Sequence, residues 1–301
     1  MLKKQDIVVI GVIYNTFPEA VRYIESLAKI REESFLLILV DNSERPAPDY
    51  FTRILEQHSF IEYIKTGSNL GYFHGAQSGL DHYLSRFQEY PCWIIVTNVD
   101  IVFEDPGIFT RLKQIRVSEK LGVIAPAIVS GRWGTDYNPD RLKRYSPARL
   151  KFYRLIYSHP IISNGYTMLS YCRKIMTRLG SVFHAKANSG LSGNRIYAPH
   201  GSCILFHKRY FEKGGTLLHV SFLFLEEIFV AETASMLDLE IIYVPELKVR
   251  DYEHASTGFM VSGKMNAYHR QSVSGILMKY YNESPSPYRQ DRGEEQNMKK
   301  Q

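Results

Sequence analysis

The sequence has little cysteine: three thiols, Cys92, Cys172 and Cys203, stand far apart in 301 residues. That scatter excludes a disulfide framework and fits a reducing compartment. It also lacks any apolar run near the ~18 residues that span a bilayer. The first apolar run, Ile7–Tyr14, is preceded by Asp6 and followed by Asn15 where a cleavage region would stand, so it reads as a buried strand, not a signal peptide. A cytoplasmic protein is expected, peripheral at most on the inner face of the cell membrane. Acid is missing from one region. Between Arg141 and Phe211 there are thirteen Lys or Arg and no Asp or Glu, so the net +6 of the chain divides into a basic segment and a remainder of formal charge −7. No internal repeat occurs. The 45% hydrophobic and 23% charged composition excludes disordered, collagenous and coiled-coil classes.

What is present is a regular alternation. The continuous β-rich runs are IVVIGVI (7–13), FLLILVDNS (35–43), FIEYIK (60–65), CWIIVTNVD (92–100) and LGVIAPAIV (121–129). Between them lie helical patterns at 17–30, 50–58, 74–87 and 108–118. Continuous apolar strands separated by helices predict an α/β fold with a mostly parallel sheet covered on both faces. Residues 131–195 lose the pattern and read as a basic insertion with mobile parts. Order returns at 196–211, with a helix from Glu226, a strand at 240–245 and a terminal helix at 264–281 before a polar tail. The expected organisation is a domain over 1–262, with halves 1–130 and 196–262 around the insertion 131–195, then helix and tail over 263–301.

Ligands of such sheets bind beyond the carboxyl ends of the strands, which directs attention to Asn15, Asp41–Ser43, Gly67–Gly75 and Asn98–Asp100. Asp41 either receives a base or ribose hydrogen bond or caps the following turn. Gly71, Gly75 and Gly79 are spaced four apart, so the G-x-G-x-x-G fingerprint fails. They admit a phosphate to the helix N-terminus or let that helix pack closely on the sheet. Asn98 and Asp100 flank one apolar residue on an extended chain and so project to one side. They offer hard oxygen ligands suited to Mg2+ or Mn2+, or simply end the strand in a polar turn. Glu226 and Glu227 open a helix, where one carboxylate suits the dipole and the other is available as a general base. His254 follows a strand-like LKVRD. His200, Cys203 and His207 do not make a zinc site: on a strand 200 and 203 point to opposite faces, and no second pair supplies the missing ligands.

Taken together, VVIGVIYN, LVDNS, NLGYFHGAQSGL, IIVTNVD, APHGSCILFHKRYF, FLFLEEIFVAE and the late His254 resemble, in order, the family 2 glycosyltransferases of GT-A fold. More narrowly the chain resembles bacterial enzymes of capsule, O-antigen or other surface-polysaccharide assembly, rhamnosyltransferase-like members included. The resemblance spans roughly 5–260. It implies a nucleotide-sugar donor, with Asp41 at the base, Asn15 shaping the same pocket, and Asn69 and Gly71 lining the donor site. It implies that Asn98-Val-Asp100 stands for the Asp-x-Asp motif, with Asp100 and His254 holding a divalent cation, Mg2+ or Mn2+. Gly201 and Ser202 then fall on the acceptor side with Glu226, and Glu227 takes the catalytic-base position of an inverting transferase. Two positions depart from the pattern: Val99 replaces the commoner Pro, and Glu227 replaces the usual Asp, its extra methylene moving the carboxylate by about one bond length. Either the acceptor sits further out or the base is Glu226.

The implied partners are a nucleotide-diphosphate sugar and a glycan or lipid-linked saccharide acceptor. The basic stretch 141–154 (Arg141, Lys143, Arg144, Arg149, Lys151, Arg154) suits an anionic membrane surface. Its aromatics also fit nucleic acid, but no nucleic-acid module accompanies them and the acidic body opposes a polyanion. A non-catalytic nucleotide-sugar-binding or scaffold subunit is the alternative from another class.

Overall fold

The computed structural model describes residues 5–31, 35–169, 193–252 and 263–282. The expected tail after Asn282 lies outside them, as does His254. β1 (Ile7–Ile13), α1 (Phe17–Leu27), β2 (Phe35–Asp41), α2 (Asp49–Glu56), β3 (Ile61–Lys65), α3 (Tyr72–Phe87) and β4 (Trp93–Asn98) follow in the expected alternation. Then come β5 (Ile101–Val102), α4 (Ile108–Gln114) and β6 (Leu121–Ser130). The stretch without clear periodicity contains α5 (Pro147–Ile156) and a further helix, α6, over 160–169. The remaining elements are β7 (Arg195–Ile196), β8 (Cys203–His207), α7 (Arg209–Glu212), α8 (Glu226–Met236), β9 (Glu240–Asp251) and α9 (Gly263–Tyr280).

The sheet runs β3-β2-β1-β4-β8-β6-β9-β5, with β7 also on β9. Its long joins are parallel: β2 with β3, β1 with β2, β1 with β4, and β6 with β9. β8 enters antiparallel between β4 and β6, which stitches the two parallel blocks together. The uninterrupted apolar runs are explained by burial on both faces. Val8, Ile10, Ile38, Val40, Ile94 and Val96 pack under α3 and α8, while Ile7, Val9, Leu37, Leu39 and Ile95 pack under α1 and α4. Each such side chain contributes roughly 1.5–3 kcal/mol on leaving water.

Two sequence expectations changed in the fold. The expected strand 240–245 continues to Asp251 despite Pro245, because the register shifts between Pro126 and Ala127 and leaves 245–247 unpaired; a residue without an N–H is tolerated in such an irregularity. The basic stretch is helical at 147–156 because Ser146 accepts the Arg149 N–H as an N-cap, Pro147 opens the first turn and Leu150 and Ile156 are buried.

Gly79 sits where α3 crosses the sheet. A Cβ there would meet Cγ2 of Ile10 at 2.8 Å and Cγ2 of Val40 at 2.9 Å. Gly79→Ala is expected to destabilise the fold by about 1–3 kcal/mol through overpacking. Gly165→Ala in α6, where a Cβ meets nothing within 4 Å, is expected to be neutral or stabilising. Thermal unfolding of the two variants checks both signs.

Candidate active site

Strand register brings the scattered sequence candidates to one edge. Ile13 pairs with Asp41, and Val12 pairs with Asn98. The carboxyl ends of β1, β2 and β4 therefore lie side by side, and the loops after them converge. Asn15 has a left-handed backbone (φ 57°) and its N–H donates to Ser43 Oγ at 2.8 Å. Asp41 is wholly buried; its Oδ1 accepts the Ser43 N–H at 2.8 Å and its Oδ2 accepts the Tyr63 hydroxyl at 2.5 Å. Its carboxylate thus performs the turn-capping role, and the surface beside it is supplied by Asn15 and Tyr14, the latter 47% exposed.

The glycine loop is tied to the same edge. Asn42 donates from Nδ2 to the Gly71 carbonyl at 2.8 Å, and Asn69 Oδ1 accepts the Gly71 N–H at 3.0 Å. Gly71 has φ 82°, and a Cβ on it would fall 2.1 Å from the Phe222 carbonyl oxygen. Only glycine meets both conditions. Tyr72, the next residue, donates its hydroxyl to the Gly201 carbonyl at 3.0 Å. Gly201 and Ser202 are therefore held against the first half of the chain, with the Asn98 N–H donating to the Ser202 carbonyl at 2.9 Å. His200, expected on a strand, sits in the turn before β8, with Nδ1 2.9 Å from Ser202 Oγ and its ring stacked on Tyr137.

Asp100 lies just past β4. Its Oδ1 is buried with no hydrogen-bond partner, and burial together with the charge of Asp251 pushes its carboxyl up to about 7. The unbonded Asp100 oxygen near a second acid offers hard oxygen ligands of the kind a divalent cation takes, with Arg22 close enough to act on the same carboxyl. Among the described residues no three His, Cys, Asp or Glu stand together as a metal site. Asp251 was not singled out from the sequence. It ends β9 as Asp41 ends β2, and that strand-end position was the available signal. His254 lies outside the described residues.

The two glutamates are separated by their surroundings. Phe224 (φ 76°) and Leu225 (φ 63°) are consecutive non-glycine residues in the left-handed region, a costly arrangement that neighbouring contacts must hold. Glu226 supplies one of them: its Oε1 accepts the Phe224 N–H at 2.9 Å. The Glu227 carboxylate instead faces Gly201, where a Cβ would lie 3.9 Å from Oε2. Burial raises Glu226 to about 7. Burial, the Glu226 charge and Asp140 raise Glu227 to about 8, against an opposing pull from Arg141.

That pull relocates a basic residue. Arg141 lies near Glu227, with Nε 3.2 Å from Asp140 Oδ2, and Arg144 grips the buried Glu232 through Nε at 2.8 Å and Nη2 at 2.7 Å. Two of the six basic residues expected at an anionic surface are thus engaged in ion pairs within the protein, while their side chains remain 41% and 51% exposed.

With this geometry in place, the fold can be compared. No family model matches the sequence, and no curated protein matches it. Among solved structures it is similar to the mannosyltransferase PcManGT from Pyrobaculum calidifontis in complex with GDP-Man and Mn2+: TM-score 0.52, 12% identity, 95% of this chain and 66% of that one. It is also similar to GalNAc-T7 with UDP, GalNAc and Mn2+: TM-score 0.53, 11% identity, 85% of this chain and 44% of that one. The chain spans less than two thirds of either. The fold is the GT-A fold of glycosyltransferases.

Burial of Glu227 has a measurable cost. The unfolded carboxyl ionises near 4.5 and the folded one near 8. Between those values unfolding releases a proton, so stability falls as pH rises. Glu227→Gln is therefore expected to melt above the unaltered protein at pH 8, with the difference closing toward pH 4.5; melting curves across that range check it.

Proposed function

We propose that the protein is a metal-dependent inverting glycosyltransferase. It transfers a hexosyl or deoxyhexosyl group from a nucleotide-diphosphate sugar to a hydroxyl of a glycan or lipid-linked saccharide. The setting proposed is assembly of a bacterial surface polysaccharide, capsule or O-antigen, on the cytoplasmic face of the membrane. The observation that carries the reading is that a GT-A fold sets the partnerless Asp100 oxygen just past the end of β4 and the Glu227 carboxylate beside Gly201, whose neighbour Ser202 accepts the Asn98 N–H at the end of that same strand.

In this reading Asn15, Tyr14 and the turn capped by Asp41 form the base pocket, and Asn69, Gly71 and Asn98 line the sugar-diphosphate path. Asp100 and Asp251, with His254, are the residues that would hold Mg2+ or Mn2+. A bound divalent cation would offset the negative charge that develops on the departing diphosphate. Mn2+ accompanies the donor or its nucleotide in both similar structures.

Glu227 takes the proton of the acceptor hydroxyl as its oxygen attacks the anomeric carbon. The bond to the diphosphate breaks on the opposite side, so the anomeric centre inverts. Raising the carboxyl toward 8 makes it a stronger proton acceptor than an ordinary carboxylate, and the half-buried residue keeps a side open to an acceptor. Glu226 stays on the Phe224 N–H and holds the helix entry. Gly201, having no side chain, leaves the space between Glu227 and the β4 edge open to the acceptor.

A thermal-shift series with UDP-, GDP- and dTDP-sugars, with and without Mn2+, is expected to show one donor that stabilises the fold only with the metal. Asp100→Ala is expected to lose that shift. Glu227→Gln is expected to keep it while transfer falls by about 10^2–10^4-fold. Turnover indifferent both to EDTA and to Asp100→Ala would overturn the metal-dependent reaction.

A further inference from the structure

We propose that α5 and α6 form an amphipathic wedge that seats the protein on an anionic lipid bilayer. Phe152 and Leu155 on α5 and Ile161, Ile162, Met168 and Leu169 on α6 are each at least 50% exposed. The α6 residues recur at i, i+1, i+7 and i+8, which places them in one stripe of the helix. The pairing of the two helices is held by Tyr166, whose ring meets Phe152 at 6.3 Å and Tyr153 at 6.2 Å. The apolar stripe is not a core face turned outward by accident. The core-facing side of α5 is already occupied, with Leu150 and Ile156 buried, and Asn266 of α9 donates to the Tyr157 carbonyl at 2.9 Å.

The charge on this wedge selects its partner. The chain holds no acid from 141 to 211, and Lys143 just before α5 and Arg149 and Lys151 on it are exposed. Apolar side chains bordered by cations match the headgroup and acyl boundary of an anionic leaflet. A second copy docking through the same face would set these cations against one another. Among the described residues no helix is long and apolar enough to cross a membrane, so the wedge lies on the bilayer and does not traverse it.

The wedge is also one layer from the candidate base. Tyr157 at the end of α5 stacks on His269 of α9 (4.3 Å, 8°), and His269 stacks on Phe224 (3.6 Å, 11°), two residues before Glu226. This path presents the acceptor side of the cleft to the lipid surface. That orientation rests on the glycosyltransferase reading; the docking does not.

Co-sedimentation with vesicles of phosphatidylcholine, with and without phosphatidylglycerol, at low and high salt, tests it. Binding is expected only with phosphatidylglycerol, and part of it should persist at high salt. Lys143→Gln with Lys151→Gln is expected to weaken partitioning about fivefold per lysine. Leu155→Ser with Ile161→Ser and Leu169→Ser is expected to weaken it at least tenfold and to make the remainder fully salt-sensitive. Melting temperature and transfer to a soluble saccharide should be unchanged in both variants, which separates loss of docking from loss of fold or of catalysis. No sedimentation with phosphatidylglycerol vesicles, or equal binding by the apolar variant, overturns the proposal. So does a dimer in light scattering that the apolar variant abolishes, since that assigns the face to a second copy. Absence of transfer by the unaltered protein would sink the enzymatic reading and leave the docking intact.

Discussion

The Phe222 carbonyl presses against the bare Cα of Gly71, and through this seat the loop before α8 is fastened to the start of α3. Nothing larger than hydrogen fits there, and the left-handed φ of Gly71 sets the angle at which α3 leaves the sheet edge. The contact ties the second half of the chain to the first. From it follow the position of Leu223–Leu225, the entry of α8 and the direction in which Glu227 points. Asn42 and Asn69 hold Gly71 on one side of the contact, and Ser272 of α9 holds the other by donating to the Leu223 carbonyl.

A common physical theme is acid partly withdrawn from water. Asp100, Glu226 and Glu227 all lie at one rim, and burial dominates the upward shift of each. Such a cluster works against folding, because ionised carboxylates lose hydration that neighbours must replace. Asp41 and Glu232 show the compensated case: Asp41 receives Ser43 and Tyr63, and Glu232 receives Arg144, Tyr197 and Tyr281. The contrast separates acids whose oxygens are engaged by donors, Glu226 with the Phe224 N–H among them, from Asp100, whose Oδ1 is left without a partner just past the end of β4.

The parallel block, its order of helices and the strand-end position of Asp41, Asn98 and Asp100 were legible in the linear pattern, because burial on both sheet faces demands unbroken apolar runs. The different surroundings of Glu226 and Glu227 were not, since they turn on the unusual backbone at Phe224 and Leu225, which no local propensity favours. Asp251 escaped for a related reason: β9 continues past Pro245 only because β6 shifts register beside it. The helices of the basic stretch were missed because their exposed side mixes Lys and Arg with Phe, Leu and Ile, so no clean polar face frames the apolar stripe. The same mixture that hid them is what gives that surface its amphipathic character.

By itself the sequence determined an α/β chain with a sheet of the parallel kind, a separation of charge at Arg141, and an ordered set of polar residues following strands. Those properties depend on local hydrophobic period and on composition, which need no partner to be read. Only the tertiary structure decided which acids meet, that Arg141 serves the rim and Arg144 the buried Glu232, and that Gly201 rather than a side chain faces Glu227. Each of those depends on register between strands distant in the chain, and a shift of one residue along a strand turns every side chain to the other face.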